Sequence, residues 1–270
     1  MRCNNKKGGF INCFLFKKND EKVSVGIQIL NWAIVLGFIL GIIIYSFKSI
    51  NYNYSWVRLI ETYYYKFLIG FLLTIFISFF SLLISILIGI FIAIGSRSNF
   101  LPYHYFSKLY VEVIRGTPLI AQIFIFFYII GTAFRIDNRY LMGIIIMAIF
   151  SGAYVSEIIR GGIESIDKSQ IETSKALGFT KYQTYKYIIF PQLVKRVMPS
   201  MAGQFASLIK DSSLLSIIAV NEFTKNIQEV DSLTFSPIEN YCILAIGYMI
   251  LTYPISTLSK YLERRFSYGN

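Results

Sequence analysis

The sequence predicts an all-α, polytopic membrane helix bundle, and three observations carry that prediction. The chain of 270 residues is 55% hydrophobic and 17% aromatic but only 15% charged, against about 25% charged in an ordinary soluble domain. Its apolar residues gather in uncharged runs long enough for a helix to cross a hydrocarbon core roughly 30 Å thick. None of those runs alternates with period two, which excludes a spanning barrel with its ~10-residue alternating strands. The composition also excludes a disordered chain, a collagen-like chain and an ordinary cytosolic enzyme.

The elements follow in order. A basic tail, 1–22, precedes an uncharged run over 23–47 between Lys22 and Lys48. That run is too long for the ~7–15-residue core of a signal peptide and no A-x-A site follows it, so it reads as an uncleaved helix. The second run covers 67–96. Runs over 116–134 and 140–156 are separated by the short polar turn RIDNR. From Arg160 to Arg196 charges recur every few residues, which no lipid-facing helix tolerates. The stretch 197–220 is apolar apart from Lys210 and Asp211, and is expected to face protein or a water-filled cavity. A last run, 240–259, precedes the basic end LERRF. Six helices are expected.

Lys and Arg exceed Asp and Glu by 11, and the excess lies on one side. With the N-terminus inside, that side collects Arg2, Lys6, Lys7, Lys17, Lys18 and Lys22 from the tail, then Arg97, Lys108, the cations of 160–196, and Lys260, Arg264 and Arg265. The first two outside loops hold only Lys48, Arg58, Lys66, Arg135 and Arg139. This is the positive-inside pattern. It accounts for the net charge without nucleic acid and places both termini in the cytoplasm.

Cys3, Cys13 and Cys242 form no CxxC pair, and His104 is the single histidine, so neither a disulfide framework nor a zinc site is expected. His104 reads as a surface residue of a short loop after Pro102. The aromatic clusters YNYSW and TYYYKF suit a membrane interface, and Gly70, Gly89 and Gly95 suit close helix packing. The chain has no Walker-type GxxxxGK[ST] loop, so it is not expected to hydrolyse ATP.

The charged stretch has its own organisation. Residues 170–177 are helix-competent, Gly178 stands where a left-handed C-cap belongs, and Thr180 has N-cap chemistry. A second short helix is expected over 181–190, with Pro191 breaking or kinking its continuation. Two short helices joined by a glycine turn make a docking surface for another protein or, equally, a solvated loop.

At these residues the chain resembles the integral membrane subunits of binding-protein-dependent ABC importers, whose EAA signature reads E-A-A-x3-G-x9-I-x-L-P. Glu172, Gly178, Ile188 and Pro191 fall at matching spacings, while Thr173, Ser174 and Phe190 replace the two alanines and the leucine. The stretches YVEVIRGTPLIAQIFIFFY (110–128), AYVSEIIRGGIESIDKSQ (153–170) and ASLIKDSSLLSIIAVNEF (206–223) resemble the polar amino-acid branch of that family.

The resemblance implies a type I importer-like five-helix core within 67–266 with a coupling segment at 165–196; the N-terminal helix at 23–47 is additional to the family's pattern, which says nothing about its role. It implies a bacterial cytoplasmic-membrane permease working with ABC ATPase subunits, a second permease subunit and an extracytoplasmic amino-acid-binding protein. No cofactor is expected on this chain, and ATP with Mg belongs to the partner ATPase. An ATPase-coupling role falls on Glu172, Ala176, Leu177, Gly178 and Pro191.

Ionisable residues at membrane depth cost about 2.5–3.5 kcal/mol each on insertion scales and need a reason to be there. Arg115 in RGTP, Glu157 and Arg160 in SEIIR, and the Lys210–Asp211 pair are therefore candidates for the substrate path, and the polar Thr117 beside Arg115 is grouped with them. A guanidinium suits an α-carboxylate and a carboxylate suits an α-ammonium. Glu157 and Arg160, three apart on one helix face, also suit each other, and inter-helix pairing is the competing account. A secondary carrier or channel driven by an ion gradient explains the spans and charges, but not the spaced Glu172, Gly178 and Pro191 element.

Overall fold

The computed structural model describes residues 25–50, 52 and 54–267; the expected basic tail, 1–22, lies outside them. The chain divides into two compact units, Met1–Tyr54 and Ser55–Asn270. Among the described residues every regular element is helical.

In the first unit, α1 runs over Val25–Ser49 and none of its side chains is buried. That is the expected N-terminal helix, shifted by two residues.

The second unit begins with α2, Trp56–Ser96, whose 41 residues reach about 60 Å at 1.5 Å per residue. It starts eleven residues before the uncharged run of 67–96, because charge does not end a helix where water or a partner receives it. Here Lys66 Nζ lies 2.7 Å from Glu229. The buried face of α2 is a row of small residues: Gly70, Thr74, Ser78, Ser81, Ser85, Gly89 and Ala93. Without a hydrophobic drive between helices in lipid, such rows let backbones approach closely. A Cβ on Gly89 would stand 2.7 Å from Val155 Cβ, and one on Gly152 would stand 2.7 Å from Ile88 Cγ2. The glycines of α2 and of its partner helix thus admit each other's branched side chains.

The next segment departs from expectation. Residues 101–116, read as a loop and the edge of a span, form helix α3, Leu101–Gly116. The third run continues as α4, Leu119–Phe124, and a π-helical stretch, Ile125–Gly131. The two parts bend by 112° at Thr117–Pro118. Charge spacing hid α3, since it is amphipathic: Ser107 and Ile114 are buried while Lys108 and Glu112 are exposed. His104 lies on this helix, half-buried, with Nδ1 2.8 Å from the Ser96 carbonyl.

Helix α5, Arg139–Glu164, is capped by Asn138, whose side chain accepts from the Tyr140 and Leu141 N–H groups. Two short helices follow, α6, Lys168–Ala176, and α7, Lys181–Gln183. A π-helical stretch, Thr184–Ile189, leads directly into α8, Phe190–Asp211. A 3-10 turn over Ser212–Ile218 then leads to α9, Phe223–Thr234, and α10, Pro237–Ser267, completes the unit.

Ile77, Ile123, Met142, Ile146, Met147, Leu208 and Leu215 form the centre of the core, all but closed to solvent. Outside it, Phe76, Leu83, Leu87 and Phe91 of α2 are exposed, an apolar surface suited to lipid. Four helices, α1, α2, α5 and α10, are long and apolar enough to cross a membrane among the described residues, and the bent α3–α4 pair makes up to five. Helix α8 does not qualify, carrying Lys195, Arg196, Lys210 and Asp211; it packs instead against α5 and α10.

Candidate functional site

Two groups of residues carry the chemistry. The first is the turn between α6 and α7. Asp167 caps α6 by accepting the Ser169 N–H at 2.9 Å, and that backbone hydrogen bond, with help from the Ser169 hydroxyl, holds its carboxyl below the usual aspartate range. At the other end the Gly178 N–H donates to Lys175 O and the Phe179 N–H to Ser174 O, each at 3.0 Å. Gly178 takes φ +80 to close this cap, a conformation that costs other residues about 1 kcal/mol or more. Thr180 then opens α7 with a reciprocal capping box to Gln183.

The seam between the two short helices is polar. Ser174 is buried, and its hydroxyl lies 3.0 Å from that of Thr184. Gln192 donates to Gln170 at 2.6 Å, and Arg196 donates to the Ser165 carbonyl. The outer face is different. Glu172 is exposed and its side chain has no partner among the described residues, Leu177 is 72% exposed, and Ala176 and Phe179 lie open beside it.

At Pro191, where a break or a kink is expected, the helix does not break. The chain stays helical from Lys181 to Asp211, because the widened π turn Thr184–Ile189 comes just before the proline. The Gln192 side chain donates to Ile188 O at 3.1 Å, serving a carbonyl next to the donor that proline lacks. The α6–α7 turn and the Lys210–Asp211 pair therefore sit near opposite ends of one continuous helical run.

The second group lies on α3, α5 and α8. Arg115, at the end of α3, donates to Glu157 Oε2 at 3.1 Å and lies 5.4 Å from the Tyr154 ring centroid. Arg160 grips the same carboxylate with two bonds of 2.8 and 2.9 Å and reaches Glu164 at 2.7 Å. Arg115, Glu157 and Arg160 thus form one ion-pair network, all partly open to solvent.

Thr117 sits at the α3–α4 bend, its hydroxyl 2.8 Å from Val113 O. The bend is held by a residue the sequence did not single out. Gln122 is buried, and its amide donates to Ile114 O at 2.7 Å, Thr117 O at 3.2 Å and Thr117 Oγ1 at 2.8 Å. It serves carbonyls that a helix end leaves orphaned.

Lys210 and Asp211 stand apart from that network and make no hydrogen bond or ion pair with their side chains among the described residues. Lys210 opens onto a cleft of about 310 Å³ lined also by Ser213, Thr224, Tyr241, Leu244, Ala245 and Tyr248. Asp211 is half-buried. Next to this cleft is a second feature that sequence reading missed. Glu222 is fully buried and accepts from the Thr224 and Lys225 N–H groups and from the Tyr248 hydroxyl, at 2.8–2.9 Å. Glutamate is not a favoured N-cap, so only its place just before α9 could have drawn attention to it. No cluster of His, Cys, Asp and Glu able to hold a metal occurs among the described residues.

Comparison with known proteins places this geometry. Residues 85–268 match the family described as binding-protein-dependent transport system inner membrane component. The chain is 34% identical over 175 residues to the probable glutamine ABC transporter permease protein GlnM of Bacillus subtilis (strain 168), covering 64% of this chain and 81% of that one. It is 35% identical over 165 residues to the glutamine transport system permease protein GlnP of Escherichia coli (strain K12), covering 60% and 75%. A solved amino acid ABC transporter, crystallised with histidines, superposes with TM-score 0.73 at 32% identity over 79% of this chain and 100% of that one. An inward-facing methionine transporter, MetNI, shares the fold at TM-score 0.66 and 14% identity, over 76% and 98% of the two chains.

Proposed function

The chain belongs to the family of inner membrane components of binding-protein-dependent transport systems, and on that basis we propose that it imports polar amino acids by ATP-driven alternating access. The observation that carries this reading is the continuous helical run from Lys181 to Asp211. It joins an exposed turn shaped for a partner to an unpaired acidic side chain inside the bundle. A push received at Glu172, Ala176, Leu177 and Gly178 reaches Asp211 along this helical run, which holds the π turn, Pro191 and Pro199. Family membership favours this over a secondary carrier driven by an ion gradient.

In the proposed arrangement the N-terminus and the α6–α7 turn face the cytoplasm, as the distribution of basic residues supports. Two ATPase subunits, which bind ATP and Mg, receive the turn, and Glu172 makes a charged contact there while Gly178 permits its shape. This chain contributes no ATP hydrolysis of its own. A second permease subunit completes the pore, and an extracytoplasmic binding protein delivers cargo. Glutamine is the first cargo to test, since the relatives GlnM and GlnP are glutamine permeases by name. Asp211 and Lys210 offer opposite charges to a zwitterion on the path. The Arg115–Glu157–Arg160 network, its two cations matched by two anions once Glu164 is included, is suited to opening and closing the inner end.

The test is co-purification with the cognate ATPase. Wild type is expected to bring it down and Gly178→Asp to lose it, because an Asp at φ +80 disturbs the turn that the ATPase grips. Association and transport unchanged by Gly178→Asp would remove the coupling assignment.

A further inference from the structure

Glu222 is fully buried, and neither the coupling turn nor the ion-pair network involves it. Its Oε1 accepts the Lys225 N–H at 2.8 Å, and its Oε2 accepts the Thr224 N–H at 2.8 Å and the Tyr248 hydroxyl at 2.9 Å. Capping α9 does not by itself explain a glutamate there. Ser, Thr, Asp and Asn are the favoured caps, and an ionised group taken out of water costs several kcal/mol before its partners offset it. What the glutamate adds over a shorter cap is its hold on Tyr248 of α10.

That hold fixes where the protons of two hydroxyls go. A phenol has one proton to donate, and Tyr248 gives it to Glu222. The Thr224 and Tyr248 hydroxyls lie 2.9 Å apart, so Thr224 is the donor of that contact and Tyr248 its acceptor. Both residues also line the cleft of about 310 Å³ onto which Lys210 opens. With both protons turned toward the carboxylate, the oxygens of this pair offer the cleft lone pairs only. The pair is held from either side. Phe223, between Glu222 and Thr224 in sequence, donates its N–H to Thr74 Oγ1 of α2 at 3.1 Å, and a Cβ on Gly70 of α2 or Gly247 of α10 would collide with Phe223.

A wall of acceptors selects a donor. A carboxamide carries two N–H donors where an ionised carboxylate has none. Glutamine therefore satisfies these oxygens, whereas glutamate sets its own negative oxygens against them, with the Glu222 charge behind. We propose that Thr224, held by Tyr248 and Glu222, selects carboxamide over carboxylate side chains on the cargo path. Thr224 touches the cargo, and Tyr248 and Glu222 are positioning residues. The inference rests on the amino-acid importer reading, in which Lys210 and Asp211 take the α-carboxylate and α-ammonium after the binding protein has delivered the cargo.

The experiment measures equilibrium binding of radiolabelled glutamine and glutamate to the complete transporter in nanodiscs, without ATP. Binding protein is left out, because its own selectivity would mask that of the permease. Wild type is expected to bind glutamine at least about tenfold tighter than glutamate, since a site built to pair with a polar group rejects an analogue that lacks it. Thr224→Val keeps the shape without the oxygen and is expected to lose that preference, which Thr224→Ser restores. Glu222→Gln keeps the size but removes the charge that orients the two protons, so glutamate is expected to bind tighter and glutamine more weakly. A general packing defect lowers both affinities together and leaves their ratio unchanged.

Equal affinity of wild type for the two amino acids, absence of glutamine binding, or a ratio that Thr224→Val and Glu222→Gln leave unchanged would overturn the assignment. ATP-driven glutamine uptake by wild type supplied with binding protein, measured in parallel, separates the two levels. Its absence sinks the importer reading, whereas normal uptake through a permease that does not prefer glutamine sinks only the role of Thr224 and its supports.

Discussion

The hydroxyls of Ser174 and Thr184 meet at 3.0 Å in the buried seam between α6 and the π-helical stretch that leads into α8. Ser174 occupies a position where the family signature has alanine. The seam admits only a small residue there, and the serine adds a hydrogen bond across it. Ser174→Ala is expected to keep ATPase association, whereas Ser174→Leu overfills the seam and costs about 1–3 kcal/mol. Affinity of the ATPase in detergent pull-downs measures the difference. Gly178→Ala meets no neighbour within 4 Å, so its expected loss of about 1 kcal/mol comes from backbone alone.

Close helix packing yields a second prediction. Gly89→Leu drives carbon atoms into Val155 and is expected to lower the thermal midpoint of the detergent-solubilised protein by several degrees, in line with about 1–3 kcal/mol for overpacking. Gly161, on the same partner helix as Val155, has nothing within 4 Å of the place a methyl group would take. Gly161→Ala is therefore expected to be neutral or to stabilise by roughly 0.5–1 kcal/mol.

The bend between α3 and α4 depends on Gln122. Gln122→Leu keeps the volume but leaves the Ile114 and Thr117 carbonyls without that amide, at an expected cost of about 1–3 kcal/mol. Unfolding monitored by scanning calorimetry checks it. An unchanged midpoint would mean that the bend is held by packing alone.

How far the fold was legible depends on which signal each element uses. Helices α1, α5 and α10 announce themselves as uncharged runs, because lipid tolerates few charges. The same criterion misplaces the start of α2, where Lys66 finds Glu229, and misses α3 and α9, whose polar faces break the runs. Pro191 was readable as a break or a kink, and the structure shows no break: a π turn immediately before the proline absorbs the mismatch. At the site, Glu157 and Arg160 are readable as partners from their spacing. That Arg115 joins them, and that Gln122 holds the bend, depends on tertiary placement no local pattern encodes.

Lys210 and Asp211 were readable as charges in an apolar stretch, but the structure leaves Lys210 exposed and Asp211 half-buried, neither with a side-chain hydrogen bond or ion pair among the described residues. Asp211→Asn is expected to reduce glutamine import at least tenfold while ATPase co-purification stays normal. Loss of both together would mark Asp211 as a folding residue instead.

In the proposed mechanism, ATP hydrolysis reaches the cargo path through the α6–α7 turn. Glutamine uptake into proteoliposomes holding the complete transporter, supplied with binding protein, tests this for wild type and Glu172→Ala side by side. With ion gradients clamped at zero, uptake is expected to require ATP in wild type and to collapse in the variant. Undiminished uptake by Glu172→Ala, or wild-type uptake that needs a sodium or proton gradient and no ATP, would contradict it.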